Sequence, residues 1–286
     1  MGHHSAPQAY LRSFEDPDAP GMIWTYPRDA ETRLASIKKV AQAKGFYDAR
    51  IEADLNTYVE GPANPLLGRL RRGEGLEGDG KYRIAIYLAT MLKRVPRNRE
   101  RGHALLPVVL TETVDGLRSE VRALAAQGVI GPERLEALLV ELNRLDTKYR
   151  GSPPPETLAE IRSPWPSQAM VQIVQRMYWR IAVTSDPEMF ITSDNPAFFF
   201  ESMGLANLES ELCFPLSPTH CLHCSHQPVA GDDLGYFAPE REFVREMNRR
   251  TASAATKLVF AHKKVSWAGE LLRKRNAPLM RIRWRE

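Results

Sequence analysis

A strand-forming stretch between residues 179 and 218 limits the possible folds of this chain most strongly. Trp179, Ile181 and Val183 recur at every second position, which is the period of a β-strand with one buried face. A Ser-Asp-Pro-Glu sequence follows at 185–188, where proline presets φ and the short polar side chains bond back to the backbone. The chain then becomes apolar again. The pattern predicts an antiparallel pair of strands, and hence a fold that contains a sheet.

A polar tetrapeptide, Ser-Asp-Asn-Pro at 193–196, lies inside the apolar part of this stretch. It separates Phe-Ile-Thr at 190–192 from Ala-Phe-Phe-Phe at 197–200. A hydroxyl, a carboxylate and an amide between two aromatic runs need hydrogen-bonding partners if they are buried. The tetrapeptide is therefore a candidate functional site. The alternative is that it caps a turn before its own proline.

Helical patterns dominate the chain before this stretch. Apolar residues recur at helical spacing in segments that glycine and proline separate, at about 50–72, 81–95, 104–127 and 132–149. Gly61 and Pro62 are expected to break or kink the first of these helices directly after Glu60. The sequence predicts an α+β fold, in which a mainly helical N-terminal two-thirds packs on a small antiparallel sheet from the C-terminal half, with a further strand around Trp24.

The domain organisation predicted from the sequence is a single α+β domain over residues 1–286. The alternative is a subdivision at the Gly-Ser-Pro linker, 151–155. Hydrophobic residues make up 43% of the chain and charged residues 26%, which is ordinary for a globular protein able to bury a full core.

The predicted location of the protein is the cytoplasm. No apolar run approaches the roughly 20 residues that a helix needs to cross a bilayer. The N-terminus also lacks the basic-then-apolar layout of a signal peptide. Three cysteines do not make a disulfide framework, which fits a reducing compartment. We therefore expect no membrane partner.

Positive charge is concentrated near the C-terminus. Residues 241–286 hold 13 Lys and Arg against 4 Asp and Glu, whereas the whole chain carries a net charge of only +4. This region includes Trp284, in a tail at 279–285 that alternates like an edge strand. Basic residues interleaved with an aromatic ring can bind phosphates and stack on bases, so nucleic acid or another phosphate-bearing ligand is a candidate partner. The alternative is a solvated basic surface. The candidate phosphate-binding residues form two groups. One follows the helix at 81–95 and the other lies in the C-terminal region; they are Lys93, Arg94, Arg97, Arg99 and Arg101, and Arg273, Lys274 and Arg275.

Several segments together resemble a bacterial family of uncharacterised proteins, domain of unknown function 4238. The family's opening signature, two histidines, two spacers and Pro-Gln-x-Tyr-Leu-x-x-Phe, matches residues 3–14. The other matching segments are Trp-Thr-Tyr at 24–26, Gly-Phe-Tyr at 45–47, Glu60, Arg-Val-Pro at 94–96, Ile-Thr-Ser-Asp-Asn-Pro at 191–196, Phe-Pro-Leu-Ser-Pro at 214–218 and Asn248. They occur in the family's order. The resemblance implies a bacterial cytoplasmic origin and brings no established activity.

Five polar residues from distant segments form the first candidate site: His4, Glu60, Arg94, Asp194 and Asn248. Carboxylates and imidazole can bind a divalent ion such as Mg²⁺ or Mn²⁺, and arginine can hold a phosphate. In this hypothesis Glu60 and Asp194 bind the metal, and His4 acts as a base or a ligand. Arg94 contacts phosphate and Asn248 orients the substrate. The prediction is a metal-dependent phosphodiester hydrolase, nuclease-like, that acts on nucleic acid.

Further side chains are candidates for binding the substrate. Arg83 shares one face of its helix with Tyr87, Thr90 and Arg94, and other basic and polar residues flank the catalytic candidates. The substrate-binding candidates are Arg83, Arg97, Arg99, Ser193 and Asn195. The alternative function is a non-catalytic module that binds nucleic acid or a phosphate ligand. In that alternative Arg94 pairs with Glu60, the tetrapeptide caps a turn, and the polar residues are structural.

A second candidate for metal binding is the sequence His-Cys-Leu-His-Cys-Ser-His at 220–226. It holds five potential zinc ligands, namely His220, Cys221, His223, Cys224 and His226. Its position after a proline-ended run favours a strand, in which the two cysteines point to opposite faces. Zinc is therefore not expected here. Glycine-rich nucleotide-binding motifs and the GxSxG motif of α/β-hydrolases do not occur.

Overall fold

The computed structural model describes residues 3–4, 6–40, 42–43, 49–150, 153–185, 187–199, 204–228 and 234–274. Two predicted features lie outside these ranges. They are the Gly-Phe-Tyr segment at 45–47 and the C-terminal tail strand at 279–285, together with Arg275 and Trp284. The chain divides into two compact units, one of Met1–Val95 with Trp165–Glu286 and one of Pro96–Pro164. No helix within the described ranges is both long and apolar enough to cross a membrane.

The chain is α+β, as the sequence predicts, with helices prominent in the N-terminal part. Before the second unit, its elements are β1 (His3–His4), α1 (Gln8–Leu11), a 3₁₀ turn (Arg12–Phe14), β2 (Met22–Pro27), β3 (Arg33–Ser36), β4 (Gln42–Ala43), α2 (Ala49–Leu55), a π-helical segment (Asn56–Glu60), α3 (Gly61–Arg71) and α4 (Gly80–Lys93).

Of the predicted break or kink after Glu60, the break is wrong, because α2, the π-helical segment and α3 follow one another without interruption. Pro62 falls in the first turn of α3. Pro62 has no N–H to donate to the preceding turn, and the i→i+5 bonding of Asn56–Glu60 comes directly before it. The Gly-Pro pair at 61–62 therefore does not end the helix, and the hydrogen bonding changes from i→i+4 to i→i+5 just before it.

The second unit is helical, with α5 (Pro96–Ala126), α6 (Pro132–Arg150) and α7 (Pro155–Arg162). The α5 helix begins before the predicted start at 104 and contains Pro107. The α5 and α6 helices pack together. Arg118 of α5 binds Asn143 at 2.8 Å and Asp146 at 3.0 Å, both on α6. These bonds fix the register of the two helices.

Strands prevail in the C-terminal half. Its elements are α8 (Gln168–Arg176), β5 (Tyr178–Val183), β6 (Thr192–Ser193), β7 (Phe198–Phe199), β8 (Glu211–Ser217), β9 (His220–Ser225), β10 (Leu234–Phe237), α9 (Arg241–Ala254), β11 (Leu258–Ala261) and α10 (Ser266–Arg273). A five-stranded sheet has the order β10-β5-β9-β8-β7, with only β10 and β5 parallel. A four-stranded sheet has the order β3-β2-β11-β6, and β1 pairs with β4. The strand around Trp24 is therefore confirmed as β2.

The predicted pairing of the strand at 179–183 with the segment at 190–192 is wrong. The β5 strand pairs with β9 over six residues, from Tyr178 opposite Ser225 to Val183 opposite His220. Thr192 and Ser193 instead pair with β11 in the other sheet. Alternation in sequence identifies a strand and its buried face but not its partner, which is set by how many cross-strand contacts each pairing offers.

The five-stranded sheet separates two regions of the hydrophobic core. Trp179 and Cys224 pack into the large cluster that also contains residues of α3, α4 and α8. Cys221 packs into a second cluster with Phe243 and Met247 of α9. The two cysteines therefore point to opposite faces of β9, as the sequence predicts for a strand. The sheet thus holds α4 on one side and α9 on the other, and both helices carry candidate residues.

Candidate functional site

Arg94, which follows the last residue of α4, lies buried between two glutamates. Its Nη1 donates to Glu60 Oε1 at 2.5 Å, and its Nη2 donates to Glu52 Oε2 at 3.3 Å. The arginine side chain is 1% exposed, compared with 14% for Glu60 and 25% for Glu52. We call these three residues the Arg94 cluster. Because both contacts are made to one planar guanidinium, the two carboxylates lie side by side and nearer to solvent than the cation.

The π-helical segment explains how two residues eight positions apart reach one guanidinium. Eight residues make about 2.2 turns of a regular α-helix, which would direct Glu52 and Glu60 to different faces. A π-helix has i→i+5 bonding and therefore more residues per turn, so Asn56–Glu60 reduces this rotation. Both carboxylates can then face Arg94. Single π-helical turns inside α-helices are frequent at functional sites.

Two hydroxyl groups on α4 share the face of Arg94. Tyr87 and Thr90 precede it by seven and four positions, which places all three on one side of the helix. Both hydroxyls are buried, and neither has a hydrogen-bond partner in the described part of the chain. An unsatisfied buried donor costs about 1–3 kcal/mol. Burial raises the pKa of Tyr87 far above its ordinary value, and the charge of Glu60 raises it further, so this hydroxyl stays protonated.

Asp194 is enclosed by backbone donors. Its Oδ1 accepts from the N–H of Thr256 at 2.8 Å, and its Oδ2 accepts from Lys257 at 2.8 Å and from Leu258 at 3.2 Å. The residue is 7% exposed. These three N–H groups belong to the connection between α9 and β11. Asp194 thus fixes that connection and offers no uncommitted oxygen in the geometry seen.

The neighbours of Asp194 bind backbone as well. Ser193 Oγ donates to the carbonyl of Asn195 at 2.9 Å and accepts from its N–H at 3.1 Å. Asn195 Nδ2 donates to the carbonyl of Ala254, at the end of α9, at 3.0 Å. The tetrapeptide therefore forms a closed turn docked on α9, which is the arrangement that the capping alternative describes.

The stability of the protein should depend on pH through Asp194. Burial raises the pKa of this carboxyl to about 6, although the three backbone N–H donors act in the opposite direction. The ordinary pKa of aspartate is about 3.9. Between these values the folded protein holds a proton that the unfolded chain has lost, so stability decreases as pH rises from about 4 to 6. The expected decrease is about 3 kcal/mol.

We expect urea denaturation between about pH 4 and 6 to show this decrease in the wild type, and we expect Asp194→Asn to lack it. If the free energies of unfolding of the two proteins differed by the same amount at every pH in this range, the prediction would be contradicted.

Asn248 holds the segment before β6. Its Oδ1 accepts from the N–H of Ile191 at 2.9 Å, and its Nδ2 donates to the carbonyl of Met189 at 2.8 Å. The residue is buried on α9. Both ends of the amide are thus used to tie an extended segment to this helix, which places Thr192 and Ser193 in register with β11.

The structure brings some of the predicted site residues together and separates others. Glu60 and Arg94 are in contact, whereas Asp194, Ser193, Asn195 and Asn248 bind backbone around α9. Arg83 is half exposed and pairs with Asp79 at 2.8 Å. His4 lies in β1, opposite Gln42, and Arg97 and Arg99 lie in α5. The side chains of these last three lie outside what the structure describes, so the convergence of His4 with the cluster stays a prediction.

The model of a family described as a protein of unknown function, DUF4238, matches residues 2–265. The chain belongs to the DUF4238 family. No curated protein and no solved structure matches it. The matched region of this DUF4238 protein contains the whole Arg94 cluster, Asp194 and Asn248, and it ends before α10.

The cysteine and histidine residues of β9 take part in packing and in an ion-pair network. Cys221 and Cys224 are buried free thiols. His223 Nε2 lies 3.1 Å from Glu211 Oε2. Glu211 Oε2 also accepts from Arg250 Nη1 at 2.7 Å. Within the described ranges, no group of three or more His, Cys, Asp or Glu side chains is arranged to hold a metal ion.

Two features of this DUF4238 protein were missed in the sequence. Glu52 was not a candidate, because a single acid in a helix looks like an ordinary solvated side chain. Arg250 carried a usable signal, since it follows Phe243 and Met247 at helical spacing and so falls on the apolar face of α9. A basic residue on a buried face needs a counter-charge, and here Glu211 and Glu246 supply it.

Proposed function

We propose that this DUF4238 protein is a metal-dependent phosphodiester hydrolase, nuclease-like, whose centre is the Arg94 cluster. The observation that supports this proposal is a pair of partly exposed carboxylates held by one buried guanidinium. Two acids against one base leave the cluster with a net charge of about −1 at neutral pH. Such a cluster attracts a cation on its exposed side, and Arg94 keeps the two carboxylates oriented toward it.

The donor set fits a small hard cation. Mg²⁺ is commonly bound by one or two carboxylates, with waters and substrate phosphates completing its shell, so Glu52 and Glu60 suffice as protein ligands. A bound Mg²⁺ or Mn²⁺ would supply an activated water and neutralise charge on the phosphate. We assign these ligand roles to Glu52 and Glu60 instead of Glu60 and Asp194, because the oxygens of Asp194 already accept three backbone N–H groups. His4 remains our candidate base.

Arg94 has a positioning role in this proposal. Its guanidinium is buried and committed to Glu52 and Glu60, so it orients these carboxylates and does not itself bind the substrate phosphate. The proposed substrate is nucleic acid, in keeping with the net positive charge of residues 241–286. The proposed compartment is the cytoplasm, which fits three buried cysteines that form no disulfide.

The test is hydrolysis of bis(p-nitrophenyl) phosphate, single-stranded DNA and RNA with Mg²⁺ or Mn²⁺. We expect Glu60→Gln and Glu52→Gln each to lower the rate by at least about 100-fold, since each removes a metal ligand without changing side-chain volume. The matched control is Glu141→Gln on α6, whose carboxylate is half exposed and pairs with Arg144. Its activity should equal that of the wild type. Equal activity in all four proteins would point to a contaminating nuclease and would refute the proposal.

A second candidate function is a non-catalytic module that binds nucleic acid or a phosphate-bearing ligand. The observation that favours it is that Asp194 and Asn248 use both polar atoms of their side chains to bind backbone groups, which is what structural residues do. This candidate predicts saturable binding of single-stranded DNA or RNA, with no turnover by the wild type under either metal. It also predicts that Glu60→Gln changes the melting temperature and leaves binding intact.

A further inference from the structure

Arg71, the last residue of α3, is a partly buried cation with no acidic partner in the described part of the chain. Its Nε donates to the carbonyl of Leu216 at 2.8 Å, a neutral acceptor. The adjacent arginines differ, since Arg69 pairs with Glu77 and Arg72 pairs with Glu74 at the surface. A guanidinium taken out of water without a counter-charge is unfavourable. Its two terminal nitrogens thus remain available for an anion.

The charge of Arg71 acts on the groups around it. Burial lowers the pKa of Arg71 below its ordinary value. Burial lowers the pKa of His220, and the positive charge of Arg71 lowers it further, so this histidine stays neutral. The same charge opposes the strong rise that burial causes in the pKa of Tyr87. These directions agree with the geometry, in which Arg71 binds the carbonyl of Leu216 and Tyr87 packs on Phe214 of the same strand.

One short segment of β8 brings the relevant groups together. Tyr87 packs edge-on against the ring of Phe214, with ring centroids 6.0 Å apart. The ring of Tyr10 also stacks on that of Phe214, with centroids 4.8 Å apart. The hydroxyl of Tyr10 donates to the carbonyl of Pro215 at 2.7 Å. Arg71 binds the next carbonyl in the chain. Arg71 and Tyr87 therefore both contact the Phe-Pro-Leu sequence at 214–216, Tyr87 through the ring of Phe214 and Arg71 through the carbonyl of Leu216, two residues later.

The hydroxyl of Tyr87 is the second group that lacks an acceptor. It is buried and has no hydrogen-bond partner among the residues that the structure describes. The hydroxyl of Tyr10 in the same region is fully used by Thr192 and Pro215. Buried side-chain donors in folded proteins nearly always have a partner, and an exception requires an explanation. A ligand that supplies both negative charge and several acceptor oxygens would satisfy Arg71 and Tyr87 together.

We propose that Arg71 and Tyr87 form a phosphate-binding subsite next to the Arg94 cluster. The inference deepens the proposed function, on which its catalytic meaning rests, and it names the group that holds the substrate phosphate. Arg71 binds two phosphate oxygens through its terminal nitrogens, a geometry for which guanidinium is well suited. Tyr87 donates to a third oxygen. Tyr87 precedes Arg94 by seven positions on the same face of α4, which places this subsite toward the carboxylates that Arg94 binds.

The experiment measures binding of inorganic phosphate by calorimetry and by thermal shift, in EDTA and without any nucleic acid. The wild type should bind phosphate saturably, and Arg71→Gln should weaken binding at least tenfold. Arg69→Gln is the matched control, because Arg69 is two positions away and already paired with Glu77. It should bind phosphate like the wild type. Sodium sulfate and sodium chloride at equal ionic strength separate recognition of a tetrahedral anion from general screening.

Tyr87→Phe provides a test that survives any folding defect of Arg71→Gln. Without phosphate, this variant should melt at or above the wild-type temperature, because it removes a hydroxyl that has no partner. With phosphate, it should lose most of the ligand-induced rise in melting temperature. Phosphate binding that is unchanged in both Arg71→Gln and Tyr87→Phe would overturn the subsite even if the enzyme hydrolyses phosphodiesters. Phosphate binding that is lost in these variants and kept in Glu60→Gln would support the subsite whatever the activity.

Discussion

Replacing Arg250 by methionine should lower the free energy of unfolding by about 3–5 kcal/mol. Arg250 is 1% exposed and binds Glu211, whose side chain is 6% exposed, across the interface between α9 and β8. Burial alone would raise the pKa of Glu211, but His223 and Arg250 hold it below its ordinary value. Without the guanidinium, a buried carboxylate loses a permanently charged partner that lies 2.7 Å away. Urea denaturation at pH 7, followed by circular dichroism, measures the loss.

Two further variants test whether the unpaired carboxylate causes this loss. Arg249→Met is the matched control, because the Arg249 side chain is 30% exposed and pairs with Glu246 on its own helix. It should cost less than about 1 kcal/mol. The double variant Glu211→Leu, Arg250→Met should recover most of the stability, since it removes both buried charges and fills the space with apolar atoms. A loss for Arg250→Met no larger than that for Arg249→Met would contradict the prediction.

Local signals in the sequence were sufficient for most elements of the fold. The helices at 81–95 and 132–149 have long, regular apolar stripes, and the structure has α4 and α6 there. The strand at 220–225 was predicted from its position after Pro218, and its two cysteines do point to opposite faces of the sheet. These features depend on neighbours in sequence, which is why pattern alone was enough to find them.

Pairing and site geometry could not be obtained in the same way. The sequence did not show that β5 pairs with β9, because the closeness of two strands in the chain does not determine which edges meet. It identified Glu60, Arg94, Asp194 and Asn248 as residues of interest. It could not divide them into an ion-pair cluster around Arg94 and a set of backbone-binding residues around α9, since the same residue types serve both purposes.

Replacing Asp194 by alanine should lower the free energy of unfolding by about 4 kcal/mol at pH 7, since three buried backbone donors would each lose an acceptor. The three N–H groups, of Thr256, Lys257 and Leu258, lie where the chain leaves α9 and enters β11. The loss should be larger at pH 5, because protonation of the buried wild-type carboxyl then removes the cost of burying its charge. Chemical denaturation at both pH values measures the two losses.

The same measurement separates a structural Asp194 from a metal ligand. A carboxylate kept for binding a cation is repelled by its neighbours in the metal-free protein, so its removal is neutral or stabilising there. A carboxylate that caps a connection is destabilising to remove, with or without metal. Asp79→Ala is the control, because Asp79 is exposed and pairs with Arg83 at the surface, and its cost should stay below about 1 kcal/mol. If Asp194→Ala in EDTA cost no more than this control, Asp194 would return to the metal site and Glu52 would lose its place there.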